Sequence, residues 1–327
     1  MINVGIAGAT GMVGRTFLQV MEERHFPVDQ LYLFASSRSK GTSIMFNGKE
    51  YMVEELNEDS FDKPMDIVLF SAGGDLSKKY APIAKEKGIV VVDNSSAWRM
   101  EDWVPLIVPE VNSDAISEHQ GIIANPNCST IQSVIPLKPL YDRYGINRVV
   151  FSTYQSVSGS GIAGLEDLEK GLSTTYNNLY PHPIAYNVLP HIDSFLENGY
   201  TKEEMKMIDE TRKILDDQNM RITATAVRVP VKYGHAVSAS IELETAFELD
   251  EIFTLFKETD GIKVLDDLDN NIYPMPILAE GKDKVYVGRI RRDFSIDNGL
   301  NIWIVADNSR KGAATNTVQI AELLLNK

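Results

Sequence analysis

The sequence predicts a two-domain α/β protein, in which a parallel sheet covered by helices is followed by an α+β domain with a largely antiparallel sheet. Up to about residue 127, short apolar β-rich runs alternate with helical patterns, as they do in parallel sheets buried on both faces. Beyond that point the β-rich runs are longer and alternate in polarity. Such alternation is typical of antiparallel strands with one exposed face.

The first domain begins with an apolar strand at residues 2–7, three glycines at positions 8, 11 and 14, and a helical pattern at 16–23. A further helix is predicted at 76–87. The remaining strands of this domain are predicted at 31–35, 66–70, 89–93 and 121–124. This succession defines residues 1–127 as one domain.

The second domain is predicted to span residues 128–307. Its strands are expected at 148–155, 221–231, 236–243, 284–292 and 300–306. A helix at 202–215 begins after Thr201 as N-cap, with Glu203 in its first turn. A helix after residue 128 is expected to be kinked or shortened by Pro136 and Pro139. The last segment, 308–327, is expected to form a helix from 313 to 325 and to pack back on the first domain.

Composition excludes several classes of protein. The 327 residues carry a formal net charge of -14, which opposes general attraction to nucleic acid or an anionic membrane. No uncharged apolar run reaches membrane-spanning length, and the first residues lack the pattern of a signal peptide. A single cysteine cannot form an intrachain disulfide. We therefore expect a soluble protein of the reducing cytoplasm.

The glycine-rich run from Gly8 to Gly14 follows a strand and opens a helix. Glycine allows a tight turn and a close approach of backbone N–H groups to a pyrophosphate, and the helix N-terminus adds partial positive charge. A plain structural turn is the alternative for such a loop taken alone. The strand and helix on either side favour a Rossmann-type dinucleotide-binding domain.

The loop after the second predicted strand indicates which dinucleotide is bound. Enzymes that use NAD usually place an acidic side chain there, whereas an arginine accommodates the 2′-phosphate of NADP. Residues 35–41 contain Arg38 beside several hydroxyl groups and no acid. A solvated basic loop is the alternative, but NADP is favoured as the cofactor.

Cys128 lies in a polar turn, after Asn125 and Asn127 and just before a possible helix. A helix N-terminus favours the thiolate form of cysteine, which is the nucleophile. A lone cysteine is more often a small buried apolar residue, but the polar flanks argue against an apolar niche. Of the five histidines, His235 lies at the junction of two β-rich runs, where it could serve as the acid/base partner. No pair of histidines, and no Cys and His pair, has metal-ligand spacing, so no metal is expected.

Together these motifs resemble the aspartate-semialdehyde dehydrogenase family along nearly the whole chain. The matching segments are residues 8–14, the Arg38 loop, 93–99, 125–130, 153–159, 203–206, 228–235, 307–308 and 311–314. The family reduces L-aspartyl 4-phosphate with NADPH to L-aspartate 4-semialdehyde and phosphate, on the route to lysine, threonine and methionine.

The resemblance implies a role for each matching residue. Cys128 would form an acyl-thioester, His235 would handle the proton on the thiohemiacetal oxygen, and Gln155 would orient the substrate. Arg228 would bind the substrate α-carboxylate and Glu203 its ammonium. Arg99 and Lys206 would hold phosphate, with Asn127 as an additional contact. The matching cofactor positions are Gly8, Thr10, Gly11, Met12, Val13, Arg38, Ser39, Ser158, Gly159 and Asn308.

The resemblance further implies a homodimer, with association to a tetramer left open. Many relatives carry a longer insertion where this chain has residues 165–187, a region that contributes to subunit contacts in the family. Two alternatives remain at this point. One is another acyl phosphate or acyl-CoA reductase, such as N-acetylglutamyl phosphate reductase, and the other is a non-catalytic NADP-binding paralogue. Glu203 favours a substrate with a free ammonium group, because an acetylated substrate would leave this carboxylate without its partner.

Overall fold

The computed structural model describes residues 1–174 and 178–325. The predictions for 165–187 and 308–327 therefore include five positions, 175–177 and 326–327, that lie outside the described residues. The chain divides into two compact units. The first unit comprises Met1–Pro126 and the C-terminal segment from Ala313, and the second comprises Asn127–Gly312.

The described residues form strands and helices that are numbered here in chain order. The strands are β1 (Ile2–Ala7), β2 (Val28–Ala35), β3 (Ser43–Phe46), β4 (Lys49–Glu55), β5 (Ile67–Phe70), β6 (Val90–Asp93), β7 (Ile122–Ala124), β8 (Ile146–Gln155), β9 (Arg221–Arg228), β10 (His235–Leu243), β11 (Ile262–Val264), β12 (Val285–Asp293) and β13 (Gly299–Ala306). The helices are α1 (Met12–Glu23), α2 (Gly74–Glu86), α3 (Pro109–Asn112), α4 (Cys128–Tyr144), α5 (Gly161–Gly171), α6 (Lys202–Ile214), α7 (Leu249–Glu258), α8 (Pro276–Ala279) and α9 (Thr315–Leu325).

The first unit contains a seven-stranded sheet in the order β3-β4-β2-β1-β5-β6-β7. All neighbours pair in parallel except β3 and β4. All four residues of β5 are buried, as expected for a sheet covered on both faces. Strands β2 and β5 are the two neighbours of β1 and lie on opposite sides of it. The loop after β1 therefore lies at the point where the strand order reverses, which is where ligands bind in this class of sheet.

Helix α9 packs in the core of the first unit. Its residues Val318, Ile320 and Ala321 are buried in one apolar cluster with the strands of the parallel sheet. A chain of buried amides also fixes it, since Asn316 Nδ2 donates to Asn125 Oδ1 at 2.7 Å and Asn125 Nδ2 donates to Asn94 Oδ1 at 2.7 Å. The chain terminus thus belongs to the same compact unit as the glycine loop.

The second unit contains a six-stranded sheet in the order β11-β12-β13-β10-β8-β9. The central pairs are antiparallel, and the two edge pairs, β8 with β9 and β11 with β12, are parallel. The predicted fold class is therefore confirmed. Strand β9 ends at Arg228 rather than 231, because Pro230 has no N–H to donate to a neighbouring strand and Val231 instead bonds back to Val229.

Helix α4 corrects one prediction about chain geometry. Pro136 and Pro139 were expected to kink or shorten it, and the helix is not shortened, since it continues through both residues to Tyr144. Each proline removes one backbone hydrogen bond. The residues around them, Ile135, Leu137 and Leu140, are buried, and this packing outweighs the two lost bonds. Within residues 1–174 and 178–325, no helix combines the length and apolar character needed to cross a membrane.

Candidate active site

Cys128 is the first residue of α4 and is partly exposed. Asn127 caps the helix, because its Oδ1 accepts hydrogen bonds from the N–H groups of Ser129 at 2.9 Å and Thr130 at 3.3 Å. This arrangement fixes the start of α4 at the cysteine and leaves the positive end of the helix beside the thiol. A thiol in that position is favoured as the thiolate, the form that attacks a carbonyl carbon.

Asn127 is also held by two acidic side chains of α6. Its backbone N–H donates to Glu210 Oε2 at 2.6 Å, and its Nδ2 donates to Glu203 Oε1 at 2.9 Å. Next to the cysteine itself, a Cβ atom on Gly312 would lie 2.9 Å from the Cys128 Cβ. Only glycine permits the backbone to approach the cysteine so closely.

His235 begins β10 and is fully buried. Its Nδ1 accepts a hydrogen bond from the Ser156 N–H at 3.1 Å, and the Ser156 hydroxyl lies 3.0 Å from the same nitrogen. A neutral imidazole that accepts at Nδ1 carries its proton on Nε2. No described residue lies within hydrogen-bonding distance of Nε2. Burial, together with Arg228, lowers the pKa of His235 well below its usual 6.5, so the ring is a neutral Nε2–H donor near pH 7.

Arg228 ends β9 and is buried. One Nη1 hydrogen bond goes to the Ser156 carbonyl oxygen at 2.7 Å, and Nε has no hydrogen-bond partner among the described residues. A Cβ on Gly159 would lie 2.8 Å from Arg228 Nη1 and 3.3 Å from His235 Nε2. The missing side chain at 159 thus leaves space beside both groups.

Glu203 is the centre of a buried polar cluster. Its Oε1 accepts from Asn127 and from Gln155 Nε2, the latter at 3.1 Å, and its Oε2 pairs with Lys206 Nζ at 3.2 Å. Lys206 also contacts Asp193 at 2.9 Å. Burial favours the neutral form of Glu203, but Lys206 and the two amide donors outweigh it and hold the pKa below its usual value. Burial likewise acts against the Lys206 cation, and Glu203 and Asp193 reverse that effect and raise its pKa.

A second polar group surrounds Ser156. Its hydroxyl donates to Asn308 Oδ1 at 3.1 Å and contacts Ser158 Oγ at 3.0 Å. Asn308 also accepts from the Gly234 N–H at 3.0 Å. Because Gly234 precedes His235, this network fixes the backbone that carries the histidine. In the described part of the chain, no three His, Cys, Asp or Glu side chains are gathered as metal ligands would be.

In the first unit, the glycine loop has the geometry expected of a phosphate-binding turn. Gly8 has φ +91°, and a Cβ at Gly14 would lie 2.2 Å from the Gly8 carbonyl oxygen. No side chain caps the start of α1, so its first N–H groups remain available to an anion. Thr10 Oγ1 donates to Ser39 Oγ at 3.3 Å, which brings the loop after β2 beside the glycine loop.

Two arginines of the first unit differ in their surroundings. The Arg38 side chain is exposed. Arg99 is buried, and its Nη2 donates to the Asn94 carbonyl oxygen at 3.0 Å. In the same segment of the chain, the carboxyl group of Asp93 accepts a hydrogen bond from Ser95 Oγ at 2.6 Å.

The chain matches two family models, described as semialdehyde dehydrogenase, NAD binding domain, over residues 3–119 and semialdehyde dehydrogenase, dimerisation domain, over 137–311. It is 56% identical to the aspartate-semialdehyde dehydrogenase of Aquifex aeolicus, over 99% of this chain and 98% of that protein. The chain belongs to the aspartate-semialdehyde dehydrogenase family. It is therefore an oxidoreductase whose first unit is a nicotinamide-cofactor domain.

Solved structures of aspartate-semialdehyde dehydrogenases have the same fold. The Vibrio cholerae aspartate semialdehyde dehydrogenase II, complexed with ASA, has a TM-score of 0.96 at 48% identity, covering 100% of this chain and 99% of that chain. The Candida albicans aspartate semialdehyde dehydrogenase with NADP has a TM-score of 0.79 at 27% identity, covering 99% of each. The same two-unit fold thus occurs in proteins solved with a substrate and with a cofactor.

Within the second unit, the structure brings together the residues that the aspartate-semialdehyde dehydrogenase resemblance selected. Asn127, Gln155, Glu203 and Lys206 form one hydrogen-bonded cluster, while Arg228, His235, Ser158 and Asn308 share a second one through Ser156. Three contributing residues, Ser156, Asp193 and Glu210, were given no role by the sequence. Only Glu210 had a usable signal, because positions 203, 206 and 210 share one face of a helix.

Proposed function

We propose that this enzyme reduces L-aspartyl 4-phosphate with NADPH to L-aspartate 4-semialdehyde and phosphate, on the route to lysine, threonine and methionine. The observation that carries the proposal is the position of Cys128 at the start of α4, in the same unit as a buried His235 with an available Nε2–H. In the reducing cytoplasm that the sequence predicts, this thiol would persist as a nucleophile.

The cysteine splits the reaction into two steps. Cys128 Sγ attacks the acyl carbon, the carbon–oxygen bond to phosphate breaks, and a thioester forms. When bound, NADPH supplies the hydride that reduces this thioester. The neutral His235 donates a hydrogen bond from Nε2–H to the oxyanion of the resulting thiohemiacetal, and this oxygen re-forms the carbonyl group as the carbon–sulfur bond breaks. Aldehyde then leaves, and the electron pair of the broken bond restores the thiolate.

The charged ends of the substrate have matching partners in this proposal. Arg228 binds the α-carboxylate, because a planar guanidinium can donate two parallel hydrogen bonds to it. Glu203, held as an anion by Lys206, meets the ammonium and keeps Gln155 oriented at the same time. Lys206 and Arg99 hold phosphate, with Asn127 as a further contact.

The cofactor is NADP in this proposal. The glycine loop and the uncapped start of α1 suit a pyrophosphate, and exposed Arg38 suits the 2′-phosphate. The assigned contacts are Gly8, Thr10, Gly11, Met12, Val13, Arg38, Ser39, Ser158, Gly159 and Asn308. A match to a dimerisation-domain model supports a homodimer as the working assembly.

Arg38→Ala tests the cofactor assignment. We expect the KM for NADP to rise at least about tenfold, because a charge-assisted hydrogen bond to the 2′-phosphate is lost, while the KM for NAD stays nearly unchanged. Lys40→Ala is the matched control in the same loop, since Lys40 pairs with Glu55 at 3.5 Å. Equal effects of the Arg38 variant on both cofactors would refute the assignment.

Lys206→Met tests the phosphate assignment. In the direction that consumes phosphate, we expect the KM for phosphate to rise about tenfold or more with a much smaller change in kcat, because the lost cation stabilises the anion in ground and transition states alike. Lys202→Met, an exposed lysine one turn earlier, is the control. A phosphate KM equal to that of the wild type would show that Lys206 has another task.

One assay decides between the proposed function and the two rivals. Purified protein, NADP, phosphate and L-aspartate 4-semialdehyde should produce NADPH absorbance. No signal at high enzyme concentration, together with activity on N-acetylglutamate semialdehyde, would assign the chain to the acetylated substrate. If neither aldehyde led to NADPH formation although the protein bound NADP, the non-catalytic paralogue would be favoured.

A further inference from the structure

We propose that Glu210 is a positioning residue of the nucleophile, because its carboxyl group anchors the peptide that immediately precedes Cys128. The inference rests on the proposed function only in taking Cys128 as the attacking atom. Glu210 lies on α6, is 1% exposed, and accepts the Asn127 N–H at 2.6 Å. The sequence alone does not reveal this contact, since the two partners are 83 positions apart.

The anchored peptide is a vulnerable point of the chain. Pro126 has no N–H and cannot donate a hydrogen bond. The Asn127 N–H is therefore the backbone donor that lies directly before the first residue of α4. Asn127 is buried, and a buried donor without an acceptor is unfavourable. Without the Glu210 carboxyl group, we expect this peptide to rotate until its N–H meets another hydrogen-bond acceptor. Because Cys128 is the next residue, its Sγ would move with it.

Two further contacts act with this bond to fix the position of Cys128. Glu203 and Glu210 are seven residues apart on α6 and therefore share a face. The first binds the Asn127 side chain and the second binds its backbone, so α6 holds the residue at two points. The Gly312 backbone also approaches the Cys128 side chain closely, since a Cβ at Gly312 would lie 2.9 Å from the Cys128 Cβ. The turn that carries the cysteine is thus held by α6 through Asn127 and is closely approached by the backbone of residue 312.

Glu204 provides a matched control on the same helix. It is also buried, but its oxygens accept from the Thr201 N–H at 2.7 Å and the Ala226 N–H at 3.0 Å. These bonds cap α6 and tie it to β9 without reaching the Asn127–Cys128 turn. A purely structural role for buried glutamates on α6 predicts equal consequences at 204 and 210, whereas positioning predicts different ones.

The experiment compares Glu210→Met, which keeps the volume and removes the acceptor, with Glu210→Gln, which keeps an acceptor oxygen. We expect Glu210→Met to lower kcat about 100-fold, the order of loss that a 1 Å displacement of a reacting group causes. The KM values for the aldehyde and NADP should stay within about threefold. Glu210→Gln should restore kcat to within about fivefold of the wild type, and Glu204→Met should retain kcat within about threefold.

Hydrogen–deuterium exchange provides a readout that needs no substrate. In Glu210→Met, exchange should accelerate at least about tenfold in the peptide spanning residues 125–131 and remain at wild-type rates elsewhere. Glu204→Met should leave that peptide unchanged. An inactive wild type would reject the proposed function, while the exchange result would still report on the anchor.

Three outcomes would overturn the proposal. The first is wild-type kcat in Glu210→Met, the second is a Gln variant as slow as the Met variant, and the third is faster exchange throughout the chain. Should Glu210→Met fail to fold, Glu210→Asp, which withdraws the acceptor by one methylene, replaces it. That variant is expected to lower kcat at least about tenfold, and wild-type kcat would contradict the anchor.

Discussion

Cys128→Ala is expected to lower kcat by at least about 10,000-fold, because it removes the thiol that carries the acyl group in the proposed mechanism. Cys128 is the single cysteine of the sequence. The glycine loop and Arg38 belong to the other compact unit, so the Kd for NADP should stay within about threefold of the wild type. The measurements are NADPH formation from L-aspartate 4-semialdehyde and a titration of NADP binding.

Cys128→Ser is the conservative companion to this variant. Serine preserves the polar turn but offers a hydroxyl in place of the thiolate, and a hydroxyl without an adjacent base is a much weaker nucleophile. We expect its turnover to be as low as that of the alanine variant. Residual kcat within tenfold of the wild type in either variant would remove Cys128 from the reaction.

His235→Ala is expected to lower kcat about 100- to 1,000-fold, the usual loss when one hydrogen-bond donor to a developing oxyanion is removed. In the wild type, Ser156 donates to Nδ1, so the proton resides on Nε2 and points away from that contact. His235→Gln retains a side-chain N–H donor and should lose less activity than alanine. Equal kcat values for the alanine variant and the wild type would exclude this role.

His235 also determines the direction in which the stability of the fold is expected to change with pH. Its pKa in the folded protein lies well below the usual 6.5, because burial and Arg228 oppose the charged ring. As the pH falls, His235 therefore becomes protonated at a higher pH in the unfolded chain than in the folded protein. The contribution of the neutral ring to the stability of the fold is present above pH 6.5 and is lost as the pH falls below it. Between pH 7 and pH 5, the wild type should lose more in Tm than His235→Gln. Parallel Tm curves would contradict the lowered pKa.

Much of the fold could be predicted because buried strands leave a clear apolar signal. Strand β1 was predicted over its full length, and β5 and β6 within one residue. Strands β3 and β4 were missed because β3 is the edge strand, β4 lies next to it, and both expose polar side chains such as Ser43 and Lys49. Edge strands lack the continuous apolar run that reveals central ones.

The helix after Cys128 was predicted but its full length was not, since local rules for proline cannot include the burial that surrounds Pro136 and Pro139. In the site, the sequence selected residues whose type is chemically telling, such as Cys128 and His235. It could not select Ser156, because a serine is common and its role depends on register. Ala236 pairs with Tyr154 across β10 and β8, and this places Ser156 beside His235.

The central claim is that Cys128 carries the substrate acyl group as a thioester. The most direct test mixes the enzyme with L-aspartate 4-semialdehyde and NADP in the absence of phosphate, followed by acid quenching and mass spectrometry. We predict about one NADPH per subunit in a single burst, and one aspartyl group on the peptide that contains Cys128. An NADPH burst with no acyl group on that peptide would contradict the claim.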